Sequence, residues 1–280
     1  MKASVDWFTT VHRKYATTSN SSKFVQLTKY TAEVYENGSG PPLILIPGLA
    51  GGYELLGPLA NSLSNSYRVF SYQLRGESDC FALRHPFELD DLVEDLVELI
   101  DELRLEAPTI MGVSFGAIIA LKFAIRHPYR LDRLIVQGVG SRFERTLIQQ
   151  IASTVLSRFP LPADSPFVNQ FFNLLFGSRQ KRDSLFEFVT RRIWQTDQSV
   201  MAYRFRLVES FDVQDQLEYI KVPTLVLAGE KDILVSPASL KTLCENIPDV
   251  TVEHLPSCGH LACVTKPELI RRKVMAFLQA

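Results

Sequence analysis

The chain has 280 residues, 46% of them hydrophobic and 22% charged, the composition of an ordinary globular protein long enough to bury a core without disulfides or metal. Thirty basic residues face thirty-one acidic ones, a net charge of -1, so there is no general electrostatic pull toward nucleic acid or an anionic membrane. The four cysteines, Cys80, Cys244, Cys258 and Cys263, form no CxxC pair and read as free thiols in a reducing compartment.

The N-terminal stretch MKASVDWFTTVHRKYATTSNSSK has no continuous apolar segment of signal-peptide length. No apolar run approaches the roughly 18 residues of a membrane span. These features point to a cytoplasmic protein. Strands are expected at Phe24 to Leu27 and Thr31 to Tyr35, followed by a turn in ENGSGPP, where Asn-Gly and Pro-Pro break regular structure. LILI (43–46) is wholly apolar, as in a strand buried on both faces of a parallel sheet. A helix over Glu54 to Leu63 and the strand YRVFSY (67–72) come next.

From Leu89 to Leu103, apolar residues at 92, 93, 96, 99, 100 and 103 alternate with acids at helical spacing,. PTIMGV (108–113) is a strand, Phe115 to Arg126 a helix, and RLIVQGV (133–139) a strand. Strands alternating with helices imply βαβ units and a mostly parallel sheet with helices on both faces. The rhythm stops at Gly140. It resumes at VPTLVLAG (222–229), a helix from Pro237 to Asn246, the strand VTVEHL (250–255) and a helix from Pro267 to Leu278. The intervening segment holds ten of the eighteen phenylalanines and is too long for a structureless loop. The expected organisation is a core of 1–140 and 216–280 carrying an inserted helical subdomain, 141–215.

Between one predicted strand and the next helix lies Gly-Val-Ser-Phe-Gly, residues 112 to 116. Three such positions match by chance roughly 0.1 times in a chain of this length. A sharp strand-to-helix turn would hold Ser114 in a sparsely allowed conformation, with neighbouring backbone so close that the flanking residues must be small. Gly112, Gly116 and Ala117 meet that need. The competing reading is a serine that merely caps a helix. A serine hydroxyl near neutral pH needs a histidine to take its proton and an anion to orient that histidine. Asp232 follows the strand PTLVLAG, and His260 follows the next strand across a short loop.

With LILIPGLAGG, RGESD, GVSFGA, PTLVLAGEKD and SCGHLA in this order, the chain resembles the α/β-hydrolase fold superfamily, in its serine-nucleophile branch with a helical cap. The resemblance spans essentially the whole chain. It implies that Ser114 is the nucleophile, Asp232 the acid and His260 the base, in the family's order. It implies an oxyanion hole formed by the backbone N–H groups of Leu49 and Phe115. Two positions depart from the pattern. Pro47 stands where the family usually has histidine, and Gln73 stands where an aspartate often precedes the Arg-Gly pair. Arg75, Gly76 and Ser78 are assigned structural roles.

Other candidates fit less well. Glu230 is an alternative acid, nearer the strand end. His12, His85, His127 and His254 have unremarkable contexts, and Cys258 lacks an elbow and reads as a buried inert thiol. No residue cluster has metal-ligand spacing, and GLAGG lacks the lysine of a phosphate loop. No cofactor is expected. The insert would roof Ser114, with Phe143, Phe171, Phe172 and Trp194 as pocket walls; Phe159, Phe167, Phe176, Phe186 and Phe188 read as wall or core. The resulting expectation is a hydrolase of a small to medium ester or related acyl compound with an apolar part. The same triad also serves C–C bond hydrolases, lactonases and perhydrolases, and a non-catalytic ligand-binding or signalling protein could keep the fold. Nucleic-acid and membrane partners are not expected, and nothing in the sequence fixes the oligomeric state.

Overall fold

The computed structural model describes residues 21–77, 85–144, 146, 147, 149–151, 170, 173–177 and 184–280. Its frame is an eight-stranded sheet in the order β1-β2-β4-β3-β5-β6-β7-β8. The strands are β1 (Ser21–Gln26), β2 (Thr31–Asn37), β3 (Pro42–Ile46), β4 (Arg68–Tyr72), β5 (Thr109–Val113), β6 (Leu134–Gln137), β7 (Thr224–Gly229) and β8 (Val250–Leu255). β1, β2 and β4 pair antiparallel, and the rest of the sheet is parallel. The helices of the core are α1 (Gly57–Leu63), α2 (Leu89–Glu102) and α3 (Phe115–Arg126). Further along come α4 (Ser184–Gln195), α5 (Gln198–Glu209), α6 (Pro237–Asn246), α7 (Ala262–Thr265) and α8 (Pro267–Leu278). Among the described residues, no helix is long and apolar enough to cross a membrane.

Strand side chains alternate between faces, and the core divides accordingly. Ile44, Ile46, Phe70, Ile110, Leu134, Val136 and Val226 pack with α2 and α3. Leu43, Leu45, Val69, Met111, Ile135, Leu225 and Leu227 pack on the other side, with α1 and α8. Both faces are covered, so the central strands are mostly apolar, as LILI implied,. Helix α2 starts with a reciprocal capping arrangement between Glu88 and Asp91, which satisfies two otherwise orphaned amides. Arg75 donates to both carboxylate oxygens of the buried Asp95, at 2.9 and 2.5 Å, and so ties the turn after β4 to α2.

Three elements differ from their sequence expectations. The expected helix over Glu54 to Leu63 is a 3-10 turn, Tyr53–Leu56, followed by α1; Pro58 has no N–H to continue an α ladder through the junction. Strand β6 stops at Gln137, because Gly138 turns the chain at φ +71°. The unanticipated α7 is cut off from α8 at Lys266, since the residue before a proline is driven out of the helical region. The ends of the 141–215 segment lie together: the Val213 N–H donates to the Ser141 carbonyl at 2.9 Å, and the backbones of Arg142 and Asp212 pair as an isolated antiparallel β-bridge.

Because β3 and β5 are neighbours while β4 lies on the far side of β3, consecutive connections diverge and open a crevice at the carboxyl edge, where sheets of this kind carry ligands. The β5–α3 turn sits there. A Cβ built on Gly112 would lie 2.6 Å from the Ala117 Cα, and one on Gly116 would lie 2.5 Å from the Pro47 carbonyl oxygen. Gly112→Ala therefore is expected to destabilise the fold by about 1–3 kcal/mol through overpacking, measured as a lowered midpoint in chemical denaturation.

Candidate active site

Ser114 is the single residue between β5 and α3, with φ +54° and ψ -114°. That is strained for a residue with a Cβ. The strain is enforced from both sides by the close packing at Gly112 and Gly116. It lifts the hydroxyl clear of the sheet, and α3 starts at the next residue.

Asp232 and His260 reach Ser114 from the ends of β7 and β8. The Asp232 amide donates to the Gly229 carbonyl, turning the chain just past β7, and the Asp232 carboxylate accepts from Leu234 N–H at 2.9 Å. The His260 loop is fixed by two bonds: the Gln137 side-chain amide donates to its carbonyl at 3.0 Å, and the Leu261 N–H donates to the Leu175 carbonyl at 3.1 Å. The ring packs on bare backbone, since a Cβ on Gly138 would lie 3.0 Å from its Cε1.

The three side chains form a continuous line. His260 Nδ1 lies 2.9 Å from Asp232 Oδ2 and 3.1 Å from Oδ1, and His260 Nε2 lies 2.8 Å from Ser114 Oγ. An ionised carboxylate can only accept, so it fixes the ring proton on Nδ1 and leaves the Nε2 lone pair facing the serine hydroxyl. Both side chains are buried. Burial pushes the Asp232 pKa upward, but electrostatic attraction to His260, the hydrogen bond from its ring and the amides of Leu234 and Val235 outweigh it, holding the carboxyl below its usual value. The stability this ionisation contributes is therefore present above the ordinary carboxylate value and is lost as pH falls through the lowered one.

Leu49 and Phe115 flank Ser114 at one wall of a cavity of about 220 Å³. Phe115 opens α3, so its amide has no acceptor within the helix; among the described residues, neither its N–H nor that of Leu49 is taken by a protein acceptor. The arrangement offers two unspent donors beside a hydroxyl that faces an imidazole. Pro47 meets Gly116 through its backbone carbonyl.

Phe143 and Trp194 line the cavity, and Phe143 stacks edge-on against Phe205 at 5.8 Å. Phe176 and Phe186 instead stack on each other within the core. Phe171, Phe172, Phe159, Phe167, His12, Ser78 and Cys80 lie outside the described residues. Much of the wall went unnoticed in the sequence. Met201, Phe205 and Val208 line it from α5, and their 4- and 3-residue spacing was the available signal. Phe211, Leu234 and Val235 also contribute.

The competing residues lie elsewhere. Glu230 is exposed and accepts from Ser257 N–H at 3.2 Å. His127 closes the far end of α3, against Phe123, twelve helical residues and about 18 Å from Ser114,. His85 and His254 are exposed. Cys258 is buried and its thiol is pushed up by burial, as expected of an inert cysteine.

Residues 41–267 match the family model for the alpha/beta hydrolase fold. Among curated relatives, the (E)-2-((N-methylformamido)methylene)succinate hydrolase of Acinetobacter baylyi is 26% identical over 266 residues, 92% of this chain and 98% of that protein. The 3-oxoadipate enol-lactonase 2 of the same organism is 25% identical over 240 residues, covering 85% and 89%. Among solved structures, an esterase from Exiguobacterium antarcticum superposes with a TM-score of 0.81 at 19% identity, covering 93% of this chain and all of that one; at that identity the likeness concerns the fold.

Replacing Asp232 with Asn leaves the line of contacts but permits the wrong ring tautomer. Hydrolytic turnover by Asp232→Asn is expected to fall about 10⁴-fold, while Glu230→Gln stays near wild type; steady-state kcat of the two variants distinguishes the acids.

Proposed function

The chain belongs to the alpha/beta hydrolase fold family, and on that premise we propose that it is a serine hydrolase cleaving a small to medium ester, or related acyl compound, with an apolar part. The observation that carries this reading is the 2.8 Å contact between His260 Nε2 and Ser114 Oγ, with Asp232 on the opposite ring nitrogen. Its support is a neighbouring cavity walled almost wholly by apolar groups, the usual character of a pocket for an apolar ligand.

The reaction proceeds by acyl transfer. His260 Nε2 takes the Ser114 proton as Oγ attacks the substrate carbonyl carbon, and the carbonyl π electrons move onto oxygen. The Leu49 and Phe115 amides stabilise that oxyanion; one such donor is worth about 10²–10³ in rate. The tetrahedral intermediate collapses, the carbon–oxygen bond to the leaving alcohol breaks, and imidazolium returns the proton to that alcohol. Water then gives a proton to His260 and its oxygen attacks the acyl-enzyme. Release of the acid restores Ser114. Asp232 remains ionised throughout and stabilises the imidazolium.

Lactones undergo the same steps, with the alcohol tethered to the acid, and the similarity to the enol-lactonase supports including them. The chemistry is tested with p-nitrophenyl esters of increasing acyl length beside a lactone and a dienoic diketo acid. Turnover of the esters is expected, abolished in Ser114→Ala and lowered by several orders of magnitude in His260→Ala, with both variants folded. Binding of these compounds without turnover by the wild type would instead identify a receptor, and full activity of purified His260→Ala would reject the assigned base.

A further inference from the structure

The loop that presents the Leu49 amide, Pro-Gly-Leu-Ala-Gly-Gly, contains glycines at 48, 51 and 52. Gly51 and Gly52 take φ +85° and +59°. Such a loop has little stiffness of its own, yet an oxyanion donor is useful only if it is fixed before charge develops. The loop is held from outside. The Gly51 N–H donates to Thr196 Oγ1 at 2.9 Å, Glu54 pairs with Arg192, and the Leu49 carbonyl accepts from Arg204 Nη1 at 3.0 Å.

Arg204, on α5, is completely buried. Its Nη1 also donates to Glu77 Oε1 at 2.5 Å, and its Nη2 donates to the Arg75 carbonyl at 2.9 Å. Its guanidinium carbon lies 5.7 Å from the centroid of the Phe115 ring, within cation–π range. Arg204 is absent from the cavity wall, so it does not meet substrate. It does touch both residues proposed above as oxyanion donors, Leu49 through a hydrogen bond and Phe115 through its ring. A buried cation is retained only when it is paired and bonded, and the Glu77 side chain, itself 10% exposed, supplies the counter-charge.

We propose that Arg204, neutralised by Glu77, is the positioning residue that fixes the Leu49 amide for the oxyanion, a role that rests on the proposed serine hydrolase reading. The clamp on the Leu49 carbonyl restrains the residue whose amide would meet the oxyanion. Only a planar fork reaches the Leu49 and Arg75 carbonyls and the carboxylate together; an ammonium is a single point charge.

The test compares wild type with Arg204→Lys and with the paired replacement Glu77→Gln/Arg204→Met, the pair chosen because truncating one partner strands a buried charge. For a p-nitrophenyl ester, kcat is expected to fall roughly 10- to 100-fold with KM little changed, the mark of an interaction used in the transition state. Affinity for an alkyl boronic acid, whose tetrahedral adduct places an oxygen at the same amides, is expected to fall by the same factor, while thermal unfolding shows both variants folded. If both folded variants keep wild-type kcat and boronate affinity, or lose activity through KM alone, the proposal is overturned. If Arg204→Lys folds and the paired variant does not, Arg204→Lys decides by the same two measurements; if neither folds, the role is structural and the proposal fails. A wild type without Ser114-dependent turnover overturns the proposed function and this proposal together, whereas an active wild type with unaffected variants overturns this proposal alone.

Discussion

The close meeting of three backbone segments around Ser114 constrains the rest of the molecule. β5 must end, α3 must begin, and the Pro47 carbonyl must pass beside Gly116, all within a few ångströms. No side chain fits between them, so the motif is glycine, any, serine, any, glycine for reasons of space. The same crowding imposes the positive φ at Ser114 and brings the β3 loop alongside the first turn of α3. The hydroxyl and the two amides are thus consequences of one packing event. The carboxylate and imidazole arrive independently, from strands β7 and β8, whose parallel register puts both following loops at the same edge.

Most of this was legible in the sequence, for identifiable reasons. Central strands buried on both faces read as apolar runs, and α2 declared itself through acids interleaved with leucine and valine. The β5–α3 junction could be placed to the residue because the glycines have no other purpose there. What escaped depended on tertiary context. The 3-10 turn before α1 and the gap between α7 and α8 both come from prolines whose effect falls on the preceding residues. The α5 wall was visible as a periodicity but lay in a helix whose other face is polar.

Arg204 illustrates the deeper limit. In sequence it is one of two arginines on α5, and an arginine in a helix reads as a solvated face. Its complete burial follows from where α5 lies over the β3 loop and the turn holding Glu77, information that no local pattern carries. Glu77 is similarly opaque, sitting within a segment assigned to structure. Their pairing links parts of the chain 127 residues apart, and the Arg75–Asp95 pair fastens the same turn to the core from its other side.

The Leu175 carbonyl that accepts from Leu261 N–H gives the segment between β6 and β7 a second hold, this time on the chain that carries the imidazole. One stretch of chain therefore holds the His260 loop near residue 175 and the Leu49 loop near residues 192 to 204. Its apolar residues also line the cavity beside Ser114. Changing the shape of that cavity through this stretch therefore also disturbs the contacts that hold the two loops beside Ser114.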